Sequence, residues 1–102
     1  MEKVREELEK IQQQLQNVLV QKETLKIQKI EVEKALSEIE KSKEKFAYKI
    51  VGNVMVKKNI DELKKELKEN LEGLEIRIKG LENLEKNLTD RLKELSKKIK
   101  GG

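Results

Sequence analysis

The sequence predicts a mainly α fold: a long antiparallel two-helix coiled coil with one short β-hairpin between the helices. Three observations carry this expectation. Apolar residues recur at alternating steps of three and four along both ends of the chain, the spacing of a helical seam. Between them a short apolar stretch surrounds Gly52-Asn53, and there the spacing changes to simple alternation, the pattern of strands. Only 35% of the residues are hydrophobic and 43% are charged. That is too little apolar material for a globular interior, but a seam between two helices needs only about two positions in seven.

The first helix is expected over about residues 4–41. Its seam runs Val4, Leu8, Ile11, Leu15, Val18, Lys22, Leu25, Lys29, Val32, Leu36 and Ile39. Leu19, Ile27, Ile30 and Ala35 lie beside that line and widen the apolar stripe. The second helix is expected over about residues 60–100, with Leu67, Leu71, Leu74, Ile78, Leu81, Glu85, Leu88, Leu92, Leu95 and Ile99 as its seam. Ile60, Leu63, Ile76 and Leu84 add flanking apolar surface. Asn59 and Glu62 have the spacing of a capping pair at its start. Gly73 and Gly80 fall on the outward side, where each costs about 1 kcal/mol relative to alanine. Gly101-Gly102 read as a frayed end.

Lys22, Lys29 and Glu85 interrupt the seams. Folding the chain back about its turn brings Lys22 close to Glu85, so the two either pair across the helices and fix their alignment or extend their heads to water. For Lys29 the long stem packs while the ammonium stays wet.

The connection supplies a loop over residues 42–45 and a hairpin over about residues 46–57. Gly52-Asn53 mark the turn, since both residue types tolerate positive φ. A two-residue turn places Val51 opposite Val54, Ile50 opposite Met55 and Tyr48 opposite Lys57. Val51, Val54 and Val56 then share one face, and Tyr48, Ile50 and Met55 the other. Both aromatic residues of the chain, Phe46 and Tyr48, lie here. An isolated hairpin is marginal in water and leaves two open edges. Its partners are therefore expected on other chains, with Phe46, Tyr48, Ile50, Val51, Gly52, Val54, Met55 and Val56 as the assembly residues.

Several function classes are disfavoured. The chain has no cysteine and no histidine, so thiolate chemistry, disulfides and the commonest metal ligand are missing. Its glutamates read as solvated helix surface, because a helix pair offers no cleft to shift their pKa. Gly52-Asn53 lack the glycine pattern of a phosphate loop. No enzyme activity, cofactor or metal is expected. The net charge of +4 is spread with both signs interspersed, unlike the basic face of a nucleic-acid binder. No apolar run reaches the roughly 20 residues of a membrane span, and Met1-Glu-Lys-Val-Arg5 does not read as a secretory leader. A cytoplasmic protein is expected, with neither nucleic acid nor membrane as partner.

Three segments carry a resemblance to a known family. Gln12-Gln-Gln-Leu-Gln16 and Lys34-Ala-Leu-Ser-Glu-Ile-Glu40 in the first helix, and above all Tyr48-Lys-Ile-Val-Gly-Asn-Val-Met-Val-Lys57, resemble β-type prefoldin subunits of the archaeal kind. The likeness spans nearly the whole of residues 1–102, read as a single prefoldin-like domain. β-type subunits have one hairpin where α-type subunits have two, and the connection here has room for one. The resemblance implies a hexamer of two α-type and four β-type chains, with hairpins assembling into β-barrels. It implies an ATP-independent holdase that captures unfolded proteins at coiled-coil tips and delivers them to a group II chaperonin. Fraying of helix ends would offer Val4, Leu8 and Ile11 on one helix, and Leu92, Leu95 and Ile99 on the other, to such clients. The rival readings are a structural coiled-coil adaptor docking one fixed protein partner, which would not need the hairpin, and a nucleic-acid binder.

Overall fold

The structure, a computed structural model, describes residues 2–101, with side chains through Lys100. The order of elements is α1 (Glu2–Lys41), β1 (Phe46–Val51), β2 (Val54–Asn59) and α2 (Ile60–Gly101). This is the expected fold class. α1 begins ahead of the first seam residue because Glu2 suits a helix first turn, where the backbone N–H groups attract a carboxylate. α2 continues through Gly101. The remainder of the Gly101-Gly102 end lies outside the described residues.

The chain divides into two compact units. The first comprises Met1–Lys26 and Ile76–Gly102. Within it α1 and α2 run in opposite directions, since Glu7 meets Arg91 and Lys22 meets Glu85. Ile11, Val18, Leu25, Ile78 and Leu95 are buried, and each contributes about 1.5–3 kcal/mol by leaving water. The other seam positions of this unit, from Val4 and Leu8 to Leu92 and Ile99, are half-buried. The seam is thus one row deep, and the charged faces around it stay wet. Of the two outcomes left open for Lys22 and Glu85, pairing is the one observed: Lys22 Nζ lies 2.5 Å from Glu85 Oε1, with the side chains 17% and 29% exposed. The hydrogen bond to Glu85 holds the Lys22 ammonium above its usual pKa, against a smaller lowering from burial.

The second unit is Ile27–Glu75. Ile60, Leu63 and Leu74 are buried in it. Lys29 approaches Glu75 at 3.8 Å with both side chains partly wet, a pair of little energetic weight. The widening of the stripe is where the structure departs from expectation. Ile60 and Leu63 are buried, but Leu19, Ile27, Ile30, Ala35, Ile76 and Leu84 are exposed. A single facing helix covers a single row, and residues one step to the side find nothing to pack on.

The joints close their own hydrogen bonds. At the end of α1, Ser42 N–H donates to the Ile39 carbonyl at 3.2 Å and Ser42 Oγ accepts from Glu44 N–H at 3.1 Å. At the start of α2, Asn59 Oδ1 accepts from Asp61 N–H at 2.8 Å, as expected of a capping residue. The neighbouring orphan donor, Ile60 N–H, goes to the Lys45 carbonyl at 2.9 Å.

β1 and β2 pair antiparallel, with Val51 opposite Val54, Ile50 opposite Met55 and Tyr48 opposite Lys57. Gly52 has φ 60, the only positive φ among the described residues. Positive φ at the first turn residue and negative at the second, Asn53, is the sign pattern of a type II′ hairpin turn, in which glycine leads. β2 runs on to Asn59, beyond the expected end near Lys57, because Ala47 and Phe46 at the start of β1 pair with Lys58 and Asn59.

Candidate functional site

The hairpin presents two unlike faces, set by the alternation of side chains along each strand. One carries Ala47, Lys49, Val51, Val54, Val56 and Lys58. It is tied to α2 at one end by a shared carboxylate, with Lys49 Nζ 3.4 Å from Glu66 Oε2 and Lys58 donating to Glu66 Oε1, while Val51, Val54 and Val56 on the same face are exposed. Ala47 and Lys58 are half-buried on this side. The Lys58 hydrogen bond, aided by the charge of Lys49, holds the Glu66 carboxyl below its usual pKa. Glu66 therefore ties one residue of each strand to the helix.

The other face carries Phe46, Tyr48, Ile50 and Met55, and all four are exposed, Ile50 to 72%. Lys57 closes its rim, with Nζ 4.4 Å from the centre of the Phe46 ring, a cation–π distance. The sheet has two strands, so each keeps an unpaired edge. The geometry is that of a contact surface: contiguous apolar side chains in water beside backbone groups able to extend a sheet.

The second candidate region is the end of the helix pair in the first unit. Of the residues expected to be available to a client, Val4, Leu8, Leu92 and Ile99 are half-buried. Ile11 is buried, and Leu95, at 1% exposed, is the most shielded side chain described. In the closed helix pair these two fill the seam. A clasp also spans this end. Arg91 Nη2 and Nε donate to Glu7 Oε1 at 2.7 and 3.1 Å, and Arg91 Nη1 reaches Glu94 at 3.1 Å. The bond to Glu7, followed by that to Glu94, raises the already high pKa of Arg91.

Sequence reasoning missed Glu66, Glu7, Arg91 and Val20, and placed Leu19 only in the apolar stripe. Glu66 and the Glu7–Arg91 pair belong to solvated helix faces by pattern, and only the fold brings their partners near. Leu19 and Val20 are exposed on α1, and the absence of charge around them in the sequence could have drawn attention to them. Among the described residues no group of His, Cys, Asp or Glu side chains has the arrangement to hold a metal ion. Among them, too, no helix is long and apolar enough to cross a membrane.

Residues 2–101 match the family described as "Prefoldin subunit". The chain is also similar to the crystal structure of the prefoldin beta subunit from Thermococcus strain KS-1. That likeness has 42% sequence identity and a TM-score of 0.89 over 98% of this chain and 89% of the other. No curated protein matches at a significant level.

Proposed function

Because the chain belongs to the prefoldin family of chaperone subunits, we propose that it is the β-type chain of an ATP-independent holdase. Residues 1–102 act as one prefoldin-like domain. Its hairpin joins those of other subunits, including an α-type partner, in an α2β4 hexamer whose hairpins form β-barrels. The helix ends hold unfolded proteins, which pass to a group II chaperonin in the cytoplasm.

One observation carries this reading: the exposed apolar face of Phe46, Tyr48, Ile50 and Met55 beside two open strand edges. Burying such a face on a sister hairpin gains roughly 25 cal/mol for each Å² removed from water and pairs the free backbone groups. Client capture then works through many weak contacts. Val4, Leu8, Leu92 and Ile99 are reachable without disturbing the seam, while Ile11 and Leu95 become available when the helix end opens. Several such ends acting on one client raise the effective concentration of each further contact. No nucleotide-binding motif is visible in the sequence, so holding needs no ATP.

The test mixes the purified chain with an α-type prefoldin subunit and measures mass and aggregation of a chemically unfolded client, with and without ATP. A hexamer that suppresses aggregation equally in both conditions supports the reading. A chain that stays monomeric, or an assembly that binds one folded partner and ignores unfolded clients, overturns it in favour of a structural adaptor.

A further inference from the structure

Residues 11–21 of α1 carry no charged side chain, although 43% of the chain is charged. The stretch is filled by Gln12, Gln13, Gln14, Gln16, Asn17 and Gln21 between apolar residues. Its outward side forms a shallow groove lined by Gln12, Leu15, Gln16, Leu19 and Val20, with Glu23 at one end. Leu19 is 42% exposed and Val20 60%. A second groove in the same unit shows the contrast: Lys22, Glu82, Glu85, Lys86, Asp90 and Lys93 line it.

The lack of charge selects the occupant. A partner that covers Leu19 and Val20 meets one charged side chain of this helix, Glu23 at the end of the groove, so it meets little desolvation cost on this side. It must bring none itself, because the groove has almost nothing to pair with a buried ion. The glutamine amides each offer donors and an acceptor, which suits the unpaired backbone of an extended chain. The exposed helix faces of a folded coiled coil such as this one are rich in lysine and glutamate, and fit poorly. We propose that this groove on α1 is a second holding surface, taking extended, uncharged apolar stretches of non-native polypeptide. The proposal rests on the holdase reading and adds to it a place of capture away from the helix ends.

The test uses the full chain assembled with its α-type partner. Gln16→Cys gives this chain its single thiol, since the chain has no cysteine, and a benzophenone is attached to it before the partner is added. Two labelled peptides serve as probes, one of leucine, valine, serine and glutamine, the other with lysine and glutamate in place of serine and glutamine. The neutral peptide is expected to crosslink and the charged one not. Leu19→Glu with Val20→Lys, both on exposed positions, should weaken neutral-peptide binding about tenfold with mass and helix content unchanged. Crosslinks that join only subunits to one another, or that favour the charged peptide, overturn the proposal. So does the absence of peptide crosslinks while the unaltered assembly still suppresses client aggregation, an outcome that leaves the holdase reading standing. An unaltered assembly that suppresses nothing overturns both. Should the double substitution disturb folding, the crosslinks alone decide.

Discussion

Arg91 of α2 grips Glu7 of α1 through two nitrogens on one carboxylate oxygen, at 2.7 and 3.1 Å. The two residues lie far apart in the chain and hold the helix pair shut beside Leu8, Leu92 and Leu95. Charge-assisted bonds of this kind are short and directional, and with both side chains over two-fifths exposed this contact adds modestly to the resistance against parting the helices at Leu95.

Removing the clasp should therefore loosen the end and strengthen capture. Arg91→Ala is expected to speed amide exchange over residues 4–11 and 88–99 and to increase suppression of client aggregation. Leu95→Ala acts differently: it leaves a cavity in the seam and should cost about 2–5 kcal/mol of stability. If Arg91→Ala speeds exchange but capture falls, the closed end is the holding form.

Ile50→Lys with Met55→Glu should dissociate the complex and leave the single chain folded. Both side chains stand on the outward hairpin face, exposed in the single chain, and they oppose each other across the strands, where opposite charges are compatible. Analytical ultracentrifugation should report monomers with unchanged helical content. A persistent oligomer would move the assembly surface elsewhere.

Gly73→Ala and Gly80→Ala should each stabilise the chain by about 1 kcal/mol. Neither position would bring an added Cβ within 4 Å of another group, so nothing offsets the gain in helix propensity. Denaturant unfolding measures it. A variant that gains stability but loses holding activity would show that α2 needs to bend at these glycines.

Glu66 should titrate below its ordinary value of 4.5. Its folded-state pKa is depressed, so its contribution to hairpin docking is complete above 4.5 and is lost only as pH falls through the lowered value. The carboxyl carbon shift of Glu66, followed by NMR, gives the midpoint. Lys58→Met removes the principal cause and should move that midpoint back toward 4.5.

Much of this architecture is legible in the sequence because heptad spacing and turn chemistry are local. Each seam residue from Val4 to Ile39 and from Leu67 to Ile99 is at least half-buried, and Gly52-Asn53 set the strand register. Lys22 and Glu85 were readable as partners since both break the same repeat. The exposed Ile27, Ile30 and Ile76 were not readable, because hydropathy alone does not say whether a second layer exists to cover them. Glu66 and Arg91 were invisible for a related reason: charged residues are spread along the whole of both helices, and which pairs meet depends on distances that only folding sets. The candidate site divides the same way. The hairpin residues follow from composition, whereas the shielding of Ile11 and Leu95 follows from geometry.

The wet face of Phe46, Tyr48, Ile50 and Met55 makes supply part of this chain's stability. A surface that is covered only by a neighbour ties the folded state to mass action, so the melting temperature should climb with total protein concentration and with added partner subunit. Made in excess of its partners, the chain would carry an adhesive strand pair that draws it into aggregates. Matched synthesis of the subunits is then a physical requirement of the hairpin, as binding as any hydrogen bond within it.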